Sequence, residues 1–140
     1  MENKKYKPLI DKMFWIVWIP TAIFLIGGTV ISFVSVIAFI IMLATDIFTF
    51  YFIVTSLVGY VELREKTLFV KFGFILEREI PYAMIMGISK ERKIYSDSML
   101  SIKNSMEHVR IKYNKFDVVC VSVVDNDGFI EELKKRIKVN

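Results

Sequence analysis

Three side chains in this chain of 140 residues are the first candidates for a chemical role: Asp46, His108 and Cys120. Asp46 is the only formal charge in the apolar stretch 13–59. A carboxylate at the centre of a membrane helix costs ~2.5–3.5 kcal/mol on insertion scales, which usually marks a use. A second span beginning at Val30 would place Asp46 about 24 Å along its helix. We therefore interpret it as an interfacial or structural residue, with a peptide or ion site as the alternative.

His108 and Cys120 do not form a catalytic constellation with other side chains. His108 is the single histidine and falls on the polar face of a predicted strand, so we expect it at the surface. Cys120 is the single cysteine, and its β-branched neighbours predict a buried, inert thiol. No metal-ligand spacing, phosphate-binding loop or serine nucleophile motif occurs in the sequence. We predict that the protein is not an enzyme and uses no metal or cofactor.

Basic side chains offer a second kind of candidate site. Anionic headgroups attract a surface Lys or Arg by ~1 kcal/mol each. The formal net charge is +4, but glutamates interleave with the cations, so a mixed, solvated face is the alternative. No nucleic-acid recognition motif is visible, and we predict no nucleic-acid partner. The candidate lipid- or partner-binding residues are Lys66, Lys71, Lys90, Arg92 and Lys93.

The apolar stretch 13–59 must position the candidate residues described above and the rest of the chain. One bilayer span needs ~20 apolar residues, so this stretch holds two spans rather than one. Both must be helical, because lipid offers no partner to backbone N–H and C=O groups. Gly27 and Gly28 lower helix propensity and favour a tight turn. The sequence predicts a transmembrane hairpin whose first helix runs from roughly Lys12 to Ile26 or a little beyond, and whose second runs from Val30 to about Phe52.

The distribution of cations predicts the topology of this hairpin. Four lysines precede the first span, and the other fifteen Lys and Arg residues follow the second. The positive-inside rule then places both termini in the cytoplasm, with the protein crossing the cell membrane twice. The two glycines do not form a GxxxG motif, so the oligomeric state is left open.

Residues 60–140 have the composition of a soluble domain, which we separate from an anchor of residues 1–59. Period-two alternation predicts strands over 60–63, 68–72, 74–80, 84–89, 108–113 and 116–121, with a short strand over 99–102. Phe129, Ile130, Leu133 and Ile137 have helical spacing. The expected core residues are Val61, Leu63, Val70, Ile80, Ile88, Val109, Ile111, Phe129, Leu133 and Ile137.

The start of this last helix has two interpretations. Ser122-x-x-Asp125 fits a capping box, whereas Asp or Asn at 125–127 would cap a shorter helix. Basic residues near its end, which include Arg136, suit the helix macrodipole. The fold class is α+β: a two-helix transmembrane hairpin, then a small, bent antiparallel β-sheet with a C-terminal amphipathic helix.

Several short sequence words occur in a characteristic order after the two spans. They are Tyr60-Val61-Glu62-Leu63, Leu68-Phe69-Val70-Lys71-Phe72-Gly73, Ile80-Pro81-Tyr82-x-x-Ile85-x-x-Ile88, Ser105-x-x-x-Val109-x-Ile111-x-Tyr113 and Ser122-x-x-Asp125-x-x-x-Phe129-Ile130-x-x-Leu133. With these words the chain resembles bacterial pleckstrin-homology-like (PH-like) domains that follow a transmembrane hairpin, including YyaB-like and sublancin-immunity-like members. The resemblance implies a bent sheet capped by a C-terminal helix, and it implies no catalytic residue.

Two functions follow from this combination. The first is a non-catalytic, membrane-anchored interaction module at the inner leaflet, which binds a protein, a peptide or a lipid headgroup. An open sheet edge would allow a partner strand to be added. The alternative, implied by the resemblance, is bacteriocin self-immunity through the hairpin with Asp46 or through the β-rich domain.

Overall fold

The computed structural model describes residues 2–96, 98, 101–102 and 105–139 of the chain. Two long helices lie between a short first strand and the remaining strands. The elements are β1 (Lys4–Tyr6), α1 (Lys12–Ile31), a 3-10 turn (Ser32–Val34), α2 (Val36–Val58), β2 (Tyr60–Leu63), β3 (Thr67–Phe72), β4 (Leu76–Pro81), a 3-10 turn (Tyr82–Met84), β5 (Ile85–Arg92), β6 (Ser101–Ile102), β7 (Glu107–Tyr113), β8 (Asp117–Val121) and α3 (Asn126–Val139).

The two apolar helices are long enough to cross a membrane. Their connection lies at Ser32–Val34, so the predicted turn at Gly27 and Gly28 is wrong. Both glycines continue α1, so the hydrogen bonding of the surrounding helix outweighs their low intrinsic propensity. Gly28 lies against α2, where an added Cβ would be 2.7 Å from Met42 Cε.

The strands form two four-stranded sheets. The first has the order β1-β2-β3-β4, and the second has the order β5-β7-β8-β6. Neighbouring strands are antiparallel except β6 and β8, which are parallel. We call the two sheets together with α3 the β-domain. The predicted α+β class, with antiparallel strands and a C-terminal helix, is confirmed.

Strand β1 was not anticipated. Tyr6 pairs with Val61 and Lys4 with Leu63, so the segment before α1 forms an edge of the same sheet that begins directly after α2. Pro8 bridges to Val123, and the Leu9 N–H donates to the Ser122 carbonyl at 2.9 Å. The chain before α1 and the chain after α2 therefore belong to the same β-domain.

The core lies between the two sheets and α3. The expected core residues are buried, except that Ile88 and Ile137 are only partly buried against it. Cys120 is buried, as predicted, but the prediction of a surface His108 is wrong because its side chain is 1% exposed. The chain leading into β7 lies beside it: His108 Nδ1 is 3.3 Å from the Met106 carbonyl, and Met106 borders the start of α1 at Phe14.

Helix α3 follows the shorter of the two interpretations. The Gly128 N–H donates to Asp125 Oδ1 at 2.9 Å, and the Phe129 N–H donates to the Asp125 carbonyl at 3.0 Å. Asp125 is therefore the capping residue. The capping box at Ser122 is wrong, because the Ser122 hydroxyl donates instead to the Glu107 carbonyl at 2.8 Å.

Candidate functional site

The five predicted basic residues lie in three places on the β-domain. Lys66 is in the turn between β2 and β3, whereas Lys71 is paired with Tyr60 at the other end of the same hairpin, next to the end of α2. Lys90 and Arg92 are in β5, and Lys93 follows directly. This distribution separates Lys66 from the end of the β-domain that carries the helices.

Two of these cations are engaged inside the β-domain. Lys90 Nζ lies 2.9 Å from Asp127 Oδ1, and its hydrogen bond to Asp127 raises the pKa of Lys90 above 10.5. Lys93 Nζ lies 3.1 Å from Glu91 Oε2. Contact with an anionic headgroup would compete with these pairs, which makes Lys90 and Lys93 weaker lipid ligands than their charge alone indicates.

The outer face of the first sheet is a layer of aromatic rings and ions. Lys5 Nζ lies 3.6 Å from the Tyr60 ring centroid, and Arg64 Cζ lies 3.9 Å from that of Phe69. The Thr67 hydroxyl donates to Glu79 at 2.6 Å and lowers the pKa of this carboxyl below 4.5. These groups satisfy one another, so we assign this face to structure rather than to ligand binding.

The buried guanidinium of Arg136 connects α3 with the N-terminal segment and with the β2–β3 turn. Arg136 of α3 is 3% exposed and donates to the carbonyls of Glu2 at 2.6 Å and Leu63 at 3.1 Å. It also donates to the Arg64 carbonyl at 3.0 Å, which accepts the Tyr82 hydroxyl at 2.6 Å, and burial raises the pKa of Tyr82. The sequence carried one signal for this role: Arg136 follows the apolar positions 129 and 133 at helical spacing.

Asp46 lies near the middle of α2 rather than near its end. It is the eleventh residue of a helix that begins at Val36, which puts it about 15 Å from the start instead of the expected 24 Å. The later start of α2 causes this difference. The Thr29 hydroxyl of α1 lies 2.6 Å from Asp46 Oδ2 and also 3.1 Å from the Leu25 carbonyl. The carboxyl thus links the two helices.

A groove between α1 and α2 opens beside this carboxyl. Its volume is about 310 Å³, and its walls include Leu25, Ile26, Phe50 and Ile53. Asp46 Oδ1 is buried and has no hydrogen-bond partner among the described residues. The groove therefore combines apolar walls with a carboxyl group that keeps one oxygen unsatisfied beside it.

A second groove runs between strand β5 and helix α3. It has a volume of about 210 Å³, and it is lined by the uncharged run Ile85-Met86-Gly87-Ile88 on β5 and by Lys134, Ile137 and Lys138 on α3. Strand β5 ends the order of the second sheet, so one of its edges pairs with no other strand among the residues that the structure describes. The groove could take an extended chain, with main-chain pairing to β5 and an apolar floor.

The other sheet edges in the described part of the chain are protected. Strand β4 carries Glu77, Arg78 and Glu79. Strand β1 has three residues, two of them lysines, and β6 has two residues. Charge and shortness are the usual means by which an edge avoids pairing with another strand. The first half of β5 has neither, which distinguishes it as a pairing edge.

The comparisons with known proteins concern the β-domain. A family model described as Bacterial PH domain matches residues 59–137, which is more than half of the chain. No curated protein matches the chain, and no solved structure matches it. Within the described residues, no group of three or more His, Cys, Asp or Glu side chains could hold a metal ion.

Proposed function

Because the chain belongs to the Bacterial PH domain family, we propose that it is a non-catalytic, membrane-anchored module whose β-domain binds an extended segment of a partner protein. The open edge of β5 beside the groove of α3 is the observation that carries this proposal. The anchor is the hairpin of α1 and α2, whose length and apolar composition suit two bilayer spans.

Binding at β5 would use two kinds of contact. The edge of Ile85–Arg92 that does not face β7 would pair with the partner strand and supply affinity. Alternate partner side chains would enter the groove over Ile88 and Ile137, and the ammonium groups of Lys134 and Lys138 would favour an acidic residue at its rim. The preferred partner segment is therefore extended, with apolar and acidic residues in alternation.

The orientation proposed for the anchor is cytoplasmic at both ends. The pairing of β1 with β2 supports a common side for the segment before α1 and the domain after α2. The lysines of the N-terminal segment and the cations after the second span favour the cytoplasm as that side. Reporter fusions at either terminus should read cytoplasmic, and an external reading at either end would overturn this topology.

The test of β5 uses the full chain in native membranes. A photo-crosslinking amino acid replaces Met86 on the edge, and a second version carries it at Phe116, which is still more exposed, in the turn between β7 and β8. We expect a discrete adduct from position 86 only. A charge at the neighbouring position Gly87, where an added Cβ meets open space, should abolish it (Gly87→Lys), whereas adducts of equal yield from positions 86 and 116 would refute binding at β5.

A lipid headgroup remains the alternative ligand of the β-domain. Lys71 and Arg92 are then the residues to test first, since Lys71 lies next to the end of α2 and neither belongs to the Lys90–Asp127 or Lys93–Glu91 pairs. In nanodiscs of the full chain, charge reversal at Lys71 and Arg92 should reduce the enrichment of anionic lipid around the protein. Reversal at Lys66, in the far turn, is the matched control.

Bacteriocin self-immunity is the second candidate function, and the groove beside Asp46 favours it. A membrane-active peptide could enter between the helices and donate a hydrogen bond to Asp46 Oδ1. Cells expressing the chain should survive sublancin better than cells without it, and Asp46→Leu should remove the difference. Equal killing of cells with and without the chain would exclude this role for that peptide.

A further inference from the structure

The turn between β3 and β4 is apolar where a turn is ordinarily polar. Phe74, Ile75 and Leu76 follow Gly73, and their exposed fractions are 52%, 75% and 54%. The turn at the opposite end of the same sheet, between β2 and β3, is Arg64-Glu65-Lys66. Water favours polar residues in turns, and a run of exposed apolar residues indicates another environment. The two ends of this sheet therefore differ in the environment that they suit.

The apolar turn lies at the level of the membrane helix. Lys71 of β3 pairs with Tyr60, two residues after the end of α2, so the following residues run back alongside the helix. A Cβ added to Gly73 would be 2.6 Å from Thr55 Cβ, and Gly73 has a φ of +71°. Only glycine fits this backbone and this approach without strain. The turn is thus packed against α2 about 4.5 Å before the helix ends.

The length of α2 places this contact at the edge of the hydrocarbon. A helix of 23 residues is about 35 Å long, whereas the hydrocarbon core is about 30 Å thick. The last turn of α2, with the hydroxyls of Thr55 and Ser56 bonded to the Phe52 carbonyl, therefore reaches the boundary with the headgroups. Apolar side chains beside it would lie among lipid tails and headgroups rather than in water.

A second exposed apolar segment of the β-domain lies beside an end of the other membrane helix, α1. Ile94 and Tyr95 follow β5 and are 74% and 65% exposed. Ile94 borders the first turns of α1 at Phe14, Val17 and Trp18. Tyrosine and tryptophan side chains favour the membrane interface, because one part of each ring system is apolar and another is polar. Each helix of the hairpin thus has an exposed apolar segment of the β-domain beside its first or last turns.

We propose that the apolar tip of the β3–β4 hairpin, formed by Phe74 and Ile75 of the turn and Leu76 at the start of β4, inserts into the inner leaflet at the headgroup–acyl boundary, with Ile94 and Tyr95 entering on the side of α1. The lipid surface is continuous with the surface of the hairpin, which identifies the occupant of these apolar segments. The inference rests on the part of the proposed function that places both helices in the bilayer. The hairpin of α1 and α2, the β3–β4 tip and the segment of Ile94 and Tyr95 would then all contact the membrane. These three contacts would hold the β-domain, and with it the edge of β5, in one orientation relative to the bilayer.

Depth measurements on the full chain in phosphatidylcholine–phosphatidylglycerol vesicles test this proposal. In a Cys120→Ala background, an environment-sensitive fluorophore is attached at Ile75→Cys in the turn. A second version carries it at Glu65→Cys in the opposite turn, and a third at Ile47→Cys in the middle of α2. Spin labels on shallow or deep acyl positions then report depth by quenching. Ile75, Glu65 and Ile47 are all exposed on the protein surface, so labelling does not require unfolding.

We expect the label at position 75 to emit at shorter wavelength than the label at 65 and to be quenched by the shallow spin label. The label at 47 should be quenched by the deep one. Emission and quenching at 75 equal to those at 65, with 47 still quenched, would overturn the insertion of the turn and leave the anchored module intact. Loss of quenching at 47 would overturn the membrane anchor and this inference together.

Discussion

The hairpin and the β-domain each hold a charged side chain away from solvent, Asp46 and Arg136 respectively, and the hydrogen bonding of the two side chains differs. In the β-domain, the Arg136 guanidinium donates to the carbonyls of Glu2, Leu63 and Arg64 and to the carboxylate of Glu132. In the hairpin, one oxygen of Asp46 meets the Thr29 hydroxyl, while the other has no hydrogen-bond partner among the described residues.

This difference separates a structural charge from a candidate functional one. A buried charge with hydrogen bonds in several directions joins the segments that supply its partners, and Arg136 joins the N-terminal segment, the β2–β3 turn and α3. A carboxyl left partly unsatisfied in the middle of a span lowers stability and is retained when it serves a ligand or a partner. Removing the two side chains should therefore have effects of opposite sign.

The largest effect is expected from Arg136→Met. Methionine keeps the apolar stem but removes the guanidinium donor from the buried Leu63 carbonyl and leaves the Arg64 carbonyl with the Tyr82 hydroxyl, so the β-domain should lose about 3–5 kcal/mol of stability. Native-state hydrogen exchange of β2 and α3 amides in micelles of the full chain measures this loss. Lys135→Met, on the exposed side of the same helix, makes the same change in charge and should cost little. Equal losses for the two variants would contradict the role assigned to Arg136.

Asp46→Leu should act in the opposite direction. Removing a carboxyl from the centre of α2 should favour insertion of this span by up to ~2.5–3.5 kcal/mol on insertion scales. The stabilisation that Asp46 gains from its hydrogen bond with Thr29 reduces this figure. The fraction of full chain inserted, read by glycosylation sites placed in the connection between α1 and α2, gives the value. Thr45→Leu, on the next residue, is the control. If Asp46→Leu improves insertion no more than Thr45→Leu, Asp46 is not at the depth inferred from α2.

The pair Thr29–Asp46 should show a smaller coupling energy. Hydrogen bonds between membrane helices are worth ~0.6 kcal/mol on average and up to ~1.7 kcal/mol. A double-mutant cycle of Thr29→Val and Asp46→Leu, measured by unfolding the hairpin in mixed micelles, should fall in this range. The control cycle pairs Asp46→Leu with Thr21→Val, whose hydroxyl bonds to the Val17 carbonyl of its own helix. Equal coupling in both cycles would mean that the Thr29 contact does not hold the helices together.

Much of the fold could be predicted from local pattern alone. Alternation with period two located β2, β3 and β7, and helical spacing located Leu133 in the core. The apolar stretch gave two helices because its length exceeds one span and lipid leaves the backbone no other structure. Each of these features depends on residues close together in sequence.

What the sequence did not reveal depends on distant partners. Strand β1 is three residues of ordinary polar sequence until β2 supplies its pairing. His108 lies on a face that alternation marks as polar, yet its side chain is 1% exposed and lies 3.8 Å from Glu91 of the neighbouring strand β5. The groove beside β5 requires α3, about fifty residues later, to lie along an edge strand. The family resemblance predicted the general fold but not these contacts.

The smallest effect is expected from the ion pair between Lys90 and Asp127, which extends the comparison to charges that remain in water. The hydrogen bond to Asp127 raises the pKa of Lys90 above 10.5, so folding favours the protonated amine. Its contribution is complete below pH 10.5 and is lost as the pH rises through the pKa of the folded state. Both side chains are exposed, so water screens the pair and the loss should be slight. Unfolding of the full chain should show this alkaline decline, and Lys90→Met should reduce it, whereas Lys112→Met on β7 should not. An unchanged decline in Lys90→Met would show that a different group titrates, and the distinction between buried and exposed charges would then rest on Arg136 and Asp46 alone.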